Sequence, residues 1–249
     1  MVILKLPDEI EKARASNRIV AEVLSKLREK VKPGVKTREL DKFAEEVTEK
    51  RGAKPAFKGY RGYPYSLCTS VNEQVVHGMP SERVLVEGDI IGIDFGVYHR
   101  GFFGDATITL PVGKVNEKAF RLMQVTEQSL YAGIEQAKAG NRLGDISAAV
   151  QGTIEAAGFS IVRDFVGHGV GKNLHEDPQI PNFGKKGRGV ELKIGMILAI
   201  EPMVNEGGYK VRVLPDGWTV ITEDGSLSAH FEHSVAITDN GPDILSKLN

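Results

Sequence analysis

The sequence predicts an α+β fold in which helices cover a central, mainly antiparallel sheet. Three observations predict it. Pairs of helical segments precede groups of strands instead of alternating with them one for one, and no linker or low-complexity tract divides the chain. In addition, residues 88–94 (GDIIGID) are echoed by residues 195–201 (GMILAIE). Residues 1–112 and 113–249 are therefore expected to be two related halves of one domain.

The first half begins with two helical segments. Apolar residues recur at a nearly helical period over 8–31, which predicts a first helix. A second helix is expected from Thr37, whose hydroxyl can cap it, to Gly52, which favours a helix end. Two β-rich segments follow at 90–97 and 106–112, and they predict strands.

The second half repeats this order. Its two predicted helices cover residues 117–138 and 144–157. The strands predicted after them are 196–204, 210–214, 218–222 and 231–238. Two halves of this kind would share one sheet around a pseudo-two-fold axis.

Composition excludes several classes of protein. The 249 residues include 32 Lys and Arg against 33 Asp and Glu, which lacks the basic excess of a dedicated nucleic-acid binder. The single cysteine, Cys68, cannot form an intrachain disulfide, as is usual in a reducing compartment. Neither a signal peptide nor an apolar run long enough to cross a bilayer is present. These features predict a cytoplasmic protein with no membrane segment.

Two acids occupy matched positions in apolar runs. Asp94 and Glu201 interrupt segments that predict buried strands, where an ionised carboxylate costs several kcal/mol unless it is paired or binds a metal. A buried salt bridge or a strand end facing solvent would explain one such acid. Neither explanation fits well when the two matched acids are followed by a second matched pair, Asp105 and Glu232. Four carboxylates brought together cannot all stay ionised without cations, so the pattern predicts a metal site.

One imidazole would shift the preference of an oxygen-rich site from Mg²⁺ or Ca²⁺ towards Mn²⁺, Fe²⁺, Co²⁺ or Zn²⁺. The candidates are His77, His99, His168, His175, His230 and His233. We favour His168, because the glycines of the segment 167–171 (GHGVG) allow close approach of the backbone. These glycines lack the spacing of a dinucleotide-binding motif. His175 follows in a loop that ends at Pro178.

Such a site predicts hydrolysis of an amide or ester. Two divalent ions would balance four carboxylates, and a hydroxide bridging the ions would be a nucleophile near neutral pH. A carboxylate at the edge of the site could take the proton of the water and return it to the leaving amine. The sequence has no serine nucleophile elbow and no nucleophilic-cysteine signature that would predict a different hydrolytic mechanism.

The acids, His168 and their flanking segments resemble the methionine aminopeptidases. The matching segments are GHGVG, AIEPM and FEHS around the candidate ligands and VNEQVVHG around His77. The resemblance covers nearly the whole chain, and the short spacing between His168 and Glu201 is similar to that of compact, bacterial-style type I enzymes. It implies the pita-bread (creatinase/aminopeptidase) fold, with a curved central sheet.

The resemblance also implies a ligand set for two divalent ions. Asp94 would bind one ion, and His168 and Glu201 would bind the other. Asp105 and Glu232 would bridge the two ions. The ions would be Fe, Mn, Co or Zn. Some relatives also hold a monovalent cation, and its counterpart here would lie near Asn72 and Ser228.

Three catalytic roles are implied in the same way. Glu201 would shuttle a proton, His77 would hydrogen-bond the scissile amide nitrogen, and His175 would stabilise the oxyanion. Substrate-binding residues implied for the methionine side chain and the scissile bond are Tyr60, Tyr63, Cys68, His77, His175 and Trp218, with Phe57 and Leu174 at the wall. Plain core packing is the alternative for Tyr60 and Trp218.

The implied reaction is removal of the initiator methionine from nascent chains with a small second residue, near the ribosome and by a monomer. Two alternatives remain open. One is a proline-specific peptidase of the same fold, although such relatives usually carry an additional N-terminal domain. The other, less favoured because all five ligand types are present, is a non-catalytic binding module.

Overall fold

The computed structural model describes residues 2–247, and the helices and strands below are those of this range. The helices are α1 (Pro7–Lys30), α2 (Thr37–Lys50), α3 (Glu117–Ile134) and α4 (Leu143–Ala156). The strands are β1 (Lys54–Pro55), β2 (Cys68–Val71), β3 (Gln74–Val76), β4 (Ile90–His99), β5 (Phe102–Pro111), β6 (Ser160–Ile161), β7 (Gly167–Gly169), β8 (Glu176–Ile180), β9 (Ile197–Ile200), β10 (Met203–Asn205), β11 (Val211–Val213), β12 (Val220–Thr222), β13 (Ser228–His230), β14 (Glu232–Thr238) and β15 (Gly241–Ile244). A short 3₁₀ helix covers Tyr60–Gly62.

All four predicted helices are present, each within a few residues of its predicted bounds. The prediction that Thr37 caps α2 is wrong, because Thr37 is the first residue of the helix and Lys36 precedes it at the cap position. The Thr37 hydroxyl instead donates to the carbonyl oxygen of Ser81 at 3.1 Å and accepts from the Ser81 N–H at 2.8 Å. Among the described residues, no helix is both long enough and apolar enough to cross a bilayer.

The predicted strands are present with changed bounds. The strand predicted over 196–204 is broken, because Pro202 has no N–H to donate and separates β9 from β10. These two strands lie in different sheets. The strand predicted over 106–112 begins earlier, at Phe102, because β4 and β5 form one long hairpin.

The central sheet has nine strands and is antiparallel at every pairing, as the sequence predicts. Its order is β1-β4-β5-β14-β9-β7-β8, with β2 also paired to β4 and β15 to β14. The strands β5 and β14 join the two halves, and Thr107 lies opposite Glu232 at this junction. The long strand β4 lies beyond β5 on one side, and β9 lies beyond β14 on the other.

The helices cover one face of this sheet in two separate cores. In the first half, Leu27 and Leu40 of the helices pack with Ile93 and Phe95 of β4. In the second half, residues of α3 and α4 pack in the same way against apolar side chains of β9 and β14. Because side chains alternate along a strand, Asp94 points away from the helices, between Ile93 and Phe95. The functional side chains therefore lie on the opposite face.

The close packing of α1 on β5 gives a test of this arrangement. A Cβ on Gly104 would lie 2.6 Å from the backbone nitrogen of Asn17 in α1. We expect Gly104→Ala to lower the free energy of unfolding by about 1–3 kcal/mol, as overpacking does. The exposed helical Gly152 has open space around its Cα, so Gly152→Ala should instead raise it by roughly 0.5–1 kcal/mol. Urea unfolding measures both, and equal effects would contradict this packing.

Candidate functional site

The register of three neighbouring strands brings acidic side chains together. Asp94 on β4 lies opposite Thr107 on β5, and Thr107 lies opposite Glu232 on β14. Facing residues of antiparallel strands point to the same side of a sheet, so these side chains share one face. Asp105 precedes Thr107 by two positions and points the same way. The Thr107 hydroxyl donates to Glu232 Oε2 at 2.9 Å.

The remaining two candidate ligands come from β7 and the end of β9. His168 lies opposite Ala199, and Glu201 follows two positions later, just beyond the strand. The His168 Nε2 atom is 3.5 Å from Glu201 Oε1 and 3.9 Å from Asp105 Oδ2. Potential ligand atoms of Asp105, His168 and Glu232 all lie within 4.8 Å of one another. The structure thus brings all five side chains to one place.

The glycines beside His168 allow this convergence. A Cβ on Gly167 would lie 2.4 Å from the Ala199 carbonyl oxygen, and one on Gly169 would lie 2.3 Å from that of Asp177. Neither glycine has a positive φ angle. They are therefore required for the close approach of β7 to its neighbours β9 and β8 and not for a special backbone conformation.

Burial controls the protonation of this cluster. The side chains of Asp105 and Glu232 are almost fully buried, and desolvation raises the pKa of both well above its ordinary value, with further increases from neighbouring carboxylates. Burial also raises the pKa of Glu201, and it raises that of Asp94 to about 6. The pKa of His168 falls to about 4, again because of burial, so its imidazole is neutral near pH 7.

The donor set fits divalent metal ions. One oxygen each of Asp94, Asp105 and Glu232 is buried with no hydrogen-bond partner in the described range. Among residues 2–247, no lysine or arginine lies within salt-bridge distance of these carboxylates. Buried carboxylates without a cationic partner are unfavourable, and oxygen and imidazole donors together suit ions such as Mn²⁺, Fe²⁺, Co²⁺ or Zn²⁺. A buried salt bridge does not explain these acids.

A cavity of about 150 Å³ opens directly onto the cluster. Besides the five candidate ligands, its lining comprises Phe57, Tyr60, Arg61, Tyr63, Cys68, His77, Leu174, His175 and Trp218. Tyr63 packs its ring edge-on against Trp218, with 5.0 Å between the ring centroids. Cys68 lies opposite Asp94 in the sheet, so the apolar part of the cavity adjoins the acidic part. All the residues expected to bind substrate line this one cavity.

The two histidines expected to act on the peptide line the same cavity, and different neighbours contact their rings. His77 has a positive φ of 58° and packs between Phe165 and Trp218. His175 stacks on Tyr60, and its Nδ1 atom is 2.9 Å from the tyrosine hydroxyl. Burial lowers the pKa of His77 to about 4 and that of His175 to about 3. Both rings are therefore neutral near pH 7, and each can offer one N–H.

Other histidines from the sequence lie elsewhere, with one exception. His233 points to the other face of β14, where its Nδ1 atom is 2.8 Å from Ser246 Oγ. His99 ends β4 and does not line the cavity. His230, which the sequence analysis left without a role, is buried with its Nε2 atom 3.5 Å from Glu201 Oε2. His230 precedes Glu232 by two positions, but the two residues belong to different strands, so alternation alone does not predict that their side chains meet.

The structure adds Arg61 to the cavity lining. Arg61 was not expected in the site, yet it lines the cavity, and its guanidinium carbon lies 5.4 Å from the centroid of the Tyr60 ring.

Near the expected monovalent-cation site, the Ser228 N–H donates to the Asn72 carbonyl oxygen at 2.8 Å. The side chain of Asn72 bonds Asp89 and the backbone of Ile90. The cation site there stays a prediction.

The chain matches known metallopeptidases along most of its length. Residues 11–239 match the model of metallopeptidase family M24. A methionine aminopeptidase from Clostridium perfringens is 55% identical over all of both chains, and one from Escherichia coli is 44% identical over 98% of this chain and 94% of its own. A methionine aminopeptidase structure from Thermotoga maritima has a TM-score of 0.98 at 49% identity, covering both chains completely. A prolidase structure from Pyrococcus furiosus has a TM-score of 0.81 at 25% identity, covering 99% of this chain and 66% of its own.

Metal binding should stabilise the fold through the acidic cluster. We expect Co²⁺, added to chelator-treated protein at about 100 times its dissociation constant, to raise the free energy of unfolding by about 2.7 kcal/mol. Asp105→Asn should stabilise the metal-free protein, because it removes a buried like charge, and should abolish most of the Co²⁺ effect. Thermal unfolding with and without Co²⁺ measures both changes.

Asp41→Asn provides the matched control. Asp41 is a buried carboxylate outside the cavity that accepts the N–H groups of Ser66 and Leu67. This variant should keep the full Co²⁺ effect. An equal Co²⁺ effect in the parent protein and Asp105→Asn would contradict the placement of the metal.

Proposed function

Because this chain belongs to metallopeptidase family M24, we propose that it is a methionine aminopeptidase, a hydrolase that removes the N-terminal methionine of polypeptide chains. The full-length identity to bacterial methionine aminopeptidases supports this function. The observation that carries it is the single cavity in which the carboxylate and histidine cluster adjoins an aromatic, sulfur-lined pocket. One part of such a cavity can act on the scissile bond while the other holds the methionine side chain.

The family uses divalent metal, and five side chains of this chain would hold it. Asp94 would bind one ion, His168 and Glu201 the second, and Asp105 and Glu232 would contact both. When bound, such ions polarise the scissile carbonyl and acidify water. The mixed carboxylate and imidazole donors support Fe, Mn, Co or Zn as the ion.

Glu201 would move the proton. Its side chain is only 12% exposed, and burial raises its pKa well above the ordinary value. A carboxylate beside the attacking water can accept its proton and then give it to the leaving amine. Because Glu201 lines the cavity beside His168, it can do both without moving far.

The neutral histidines would act on the peptide group. The Tyr60 hydroxyl can donate to His175 Nδ1, which leaves the Nε2–H of His175 free to donate to the oxyanion that develops on the carbonyl. His77 would hydrogen-bond the scissile amide nitrogen. Its ring is held between Phe165 and Trp218.

The apolar part of the cavity suits a thioether. Tyr63, Cys68 and Trp218 supply aromatic and sulfur surface, and Phe57 and Leu174 close the wall. Sulfur gains from contact with aromatic rings by about 0.3–1.5 kcal/mol. A methionine side chain filling this pocket would bring the following peptide bond next to Asp94, because Cys68 lies opposite Asp94 in the sheet.

The proposal extends to the setting of the enzyme. Residues 1–249 would form one catalytic domain that acts as a monomer in the cytoplasm, on nascent chains near the ribosome. The small cavity supports a steric preference for a small second residue. A monovalent cation near Asn72 and Ser228 would brace the loop between β2 and β3.

Peptide hydrolysis tests the substrate. We expect Co²⁺-loaded protein to release methionine from Met-Ala-Ser and to leave Ala-Pro-Ala intact, as measured by chromatography of the products. Glu201→Gln should lower kcat/KM by roughly 10²–10⁴-fold, because it removes the proton acceptor. His77→Ala should lower it by about 10²-fold, because it removes the hydrogen-bond partner of the scissile amide nitrogen.

Glu223→Gln, at an exposed position, is the control for the glutamate variant and should keep full activity. Faster cleavage of Ala-Pro-Ala would favour the proline-specific alternative. Full activity in both Glu201→Gln and His77→Ala would refute the mechanism.

Trp218 offers a test of methionine recognition. Norleucine has the length of methionine but a methylene in place of sulfur, so a peptide beginning with norleucine should be cleaved less well by the parent enzyme. The difference should reach at most about tenfold in kcat/KM, the value expected from 1.4 kcal/mol. Trp218→Ala should lower kcat/KM for the methionine peptide and reduce this preference. An unchanged preference for methionine over norleucine would show that Trp218 does not contact the sulfur atom.

A further inference from the structure

His230 is a buried histidine directly beside the candidate metal ligands. It ends β13, its side chain is 3% exposed, and it does not line the cavity. Its Nε2 atom is buried without a hydrogen-bond partner in the described part of the chain. A buried imidazole nitrogen without a partner is unfavourable, so the position of this ring requires an explanation.

The nearest carboxylate gives that explanation. Glu201 has one oxygen, Oε1, at 3.5 Å from His168 Nε2 and the other, Oε2, at 3.5 Å from His230 Nε2. Each oxygen of Glu201 therefore faces a different imidazole. His168 lies on the cavity side, whereas His230 lies outside the cavity lining.

The backbone of His230 is fixed on both sides of the residue. Thr109 Oγ1 donates to the His230 carbonyl oxygen at 2.7 Å, and the His230 N–H donates to the same hydroxyl at 3.0 Å. In addition, His230 pairs with Met203 in the ladder between β13 and β10. The backbone that carries the His230 ring is thus held between Thr109 on one side and Met203 on the other.

We propose that His230 is a positioning residue for Glu201. Its Nε2–H, 3.5 Å from Glu201 Oε2, would donate to that oxygen and would keep Oε1 beside His168, where a metal ion would bind. A carboxyl group rotates readily about its last side-chain bond, and a fixed donor on one oxygen selects a single orientation. This inference rests on the proposed roles of Glu201 as metal ligand and proton acceptor.

A pair of matched substitutions separates the hydrogen bond from the packing. Glutamine and methionine have similar length and volume, but only glutamine has an N–H donor. We expect His230→Met to lose about 10–100-fold in Co²⁺ affinity or in kcat, the usual cost of removing a partner of a ligand. We expect His230→Gln to retain most of both. Calorimetric titration and the visible spectrum of bound Co²⁺ report binding, and hydrolysis of Met-Ala-Ser reports kcat and KM.

The split between kcat and KM adds a second criterion. The methionine pocket does not include His230, so KM for Met-Ala-Ser should stay close to that of the parent in both variants. His233→Gln is the control. His233 is half-buried and directly follows Glu232, yet its ring contacts Ser246 and Tyr131 and does not line the cavity. It should leave Co²⁺ affinity and kcat unchanged.

When both variants fold, either of two results would overturn the proposal. One is parental Co²⁺ affinity and kcat in a folded His230→Met variant. The other is equal loss in His230→Gln and His230→Met at parental unfolding midpoints, which would show that the ring acts only by packing. If His230→Met fails to fold, a loss of Co²⁺ affinity in folded His230→Gln also overturns it. Because Co²⁺ affinity needs no peptide, inactivity of the parent on Met-Ala-Ser would refute the proposed function and leave this test intact.

Discussion

The burial of four carboxylates around one imidazole is the constraint on which the rest of this structure depends. Asp94, Asp105, Glu201 and Glu232 lie where an isolated charge is strongly disfavoured. Three of them have an oxygen without a hydrogen-bond partner among residues 2–247. Such a cluster persists only if the surrounding fold is stable enough to hold it in its metal-free state. The two helix-covered cores supply that stability from the other face of the sheet.

Strand alternation separates the stabilising and the functional residues. Along β4, Ile93 and Phe95 pack beneath the helices while Asp94 between them points to the cavity. The pairing of β2 with β4 places Cys68 opposite Asp94, so the substrate pocket and the metal cluster are adjacent. Binding of the substrate side chain and chemistry at the peptide bond are therefore set by a single strand register, and a slip of one residue would destroy both.

The sequence was most informative where a residue violated its local pattern. Asp94 and Glu201 could be predicted because each interrupts an apolar run. Asp105 and Glu232 could be predicted because they form a second matched pair, and the helices because their apolar period is regular. Short strands such as β7, which reads Gly-His-Gly, have no alternation to detect, so they were missed. The role of His230 could not be separated from that of five other histidines, because the distance to Glu201 depends on the pairing of β13 with β10. Arg61 was missed because its loop has no regular pattern.

The junction of β5 with β14 has a consequence for biosynthesis. Asp94 and Asp105 precede this junction in the sequence, whereas His168, Glu201 and Glu232 come from the second half and meet them only after β14 has paired. A growing polypeptide cannot assemble the complete site until β14 has left the translation machinery and paired with β5. Products truncated before β14 would thus be inactive. A mixture of two complementary fragments would regain activity only if β5 and β14 paired between them.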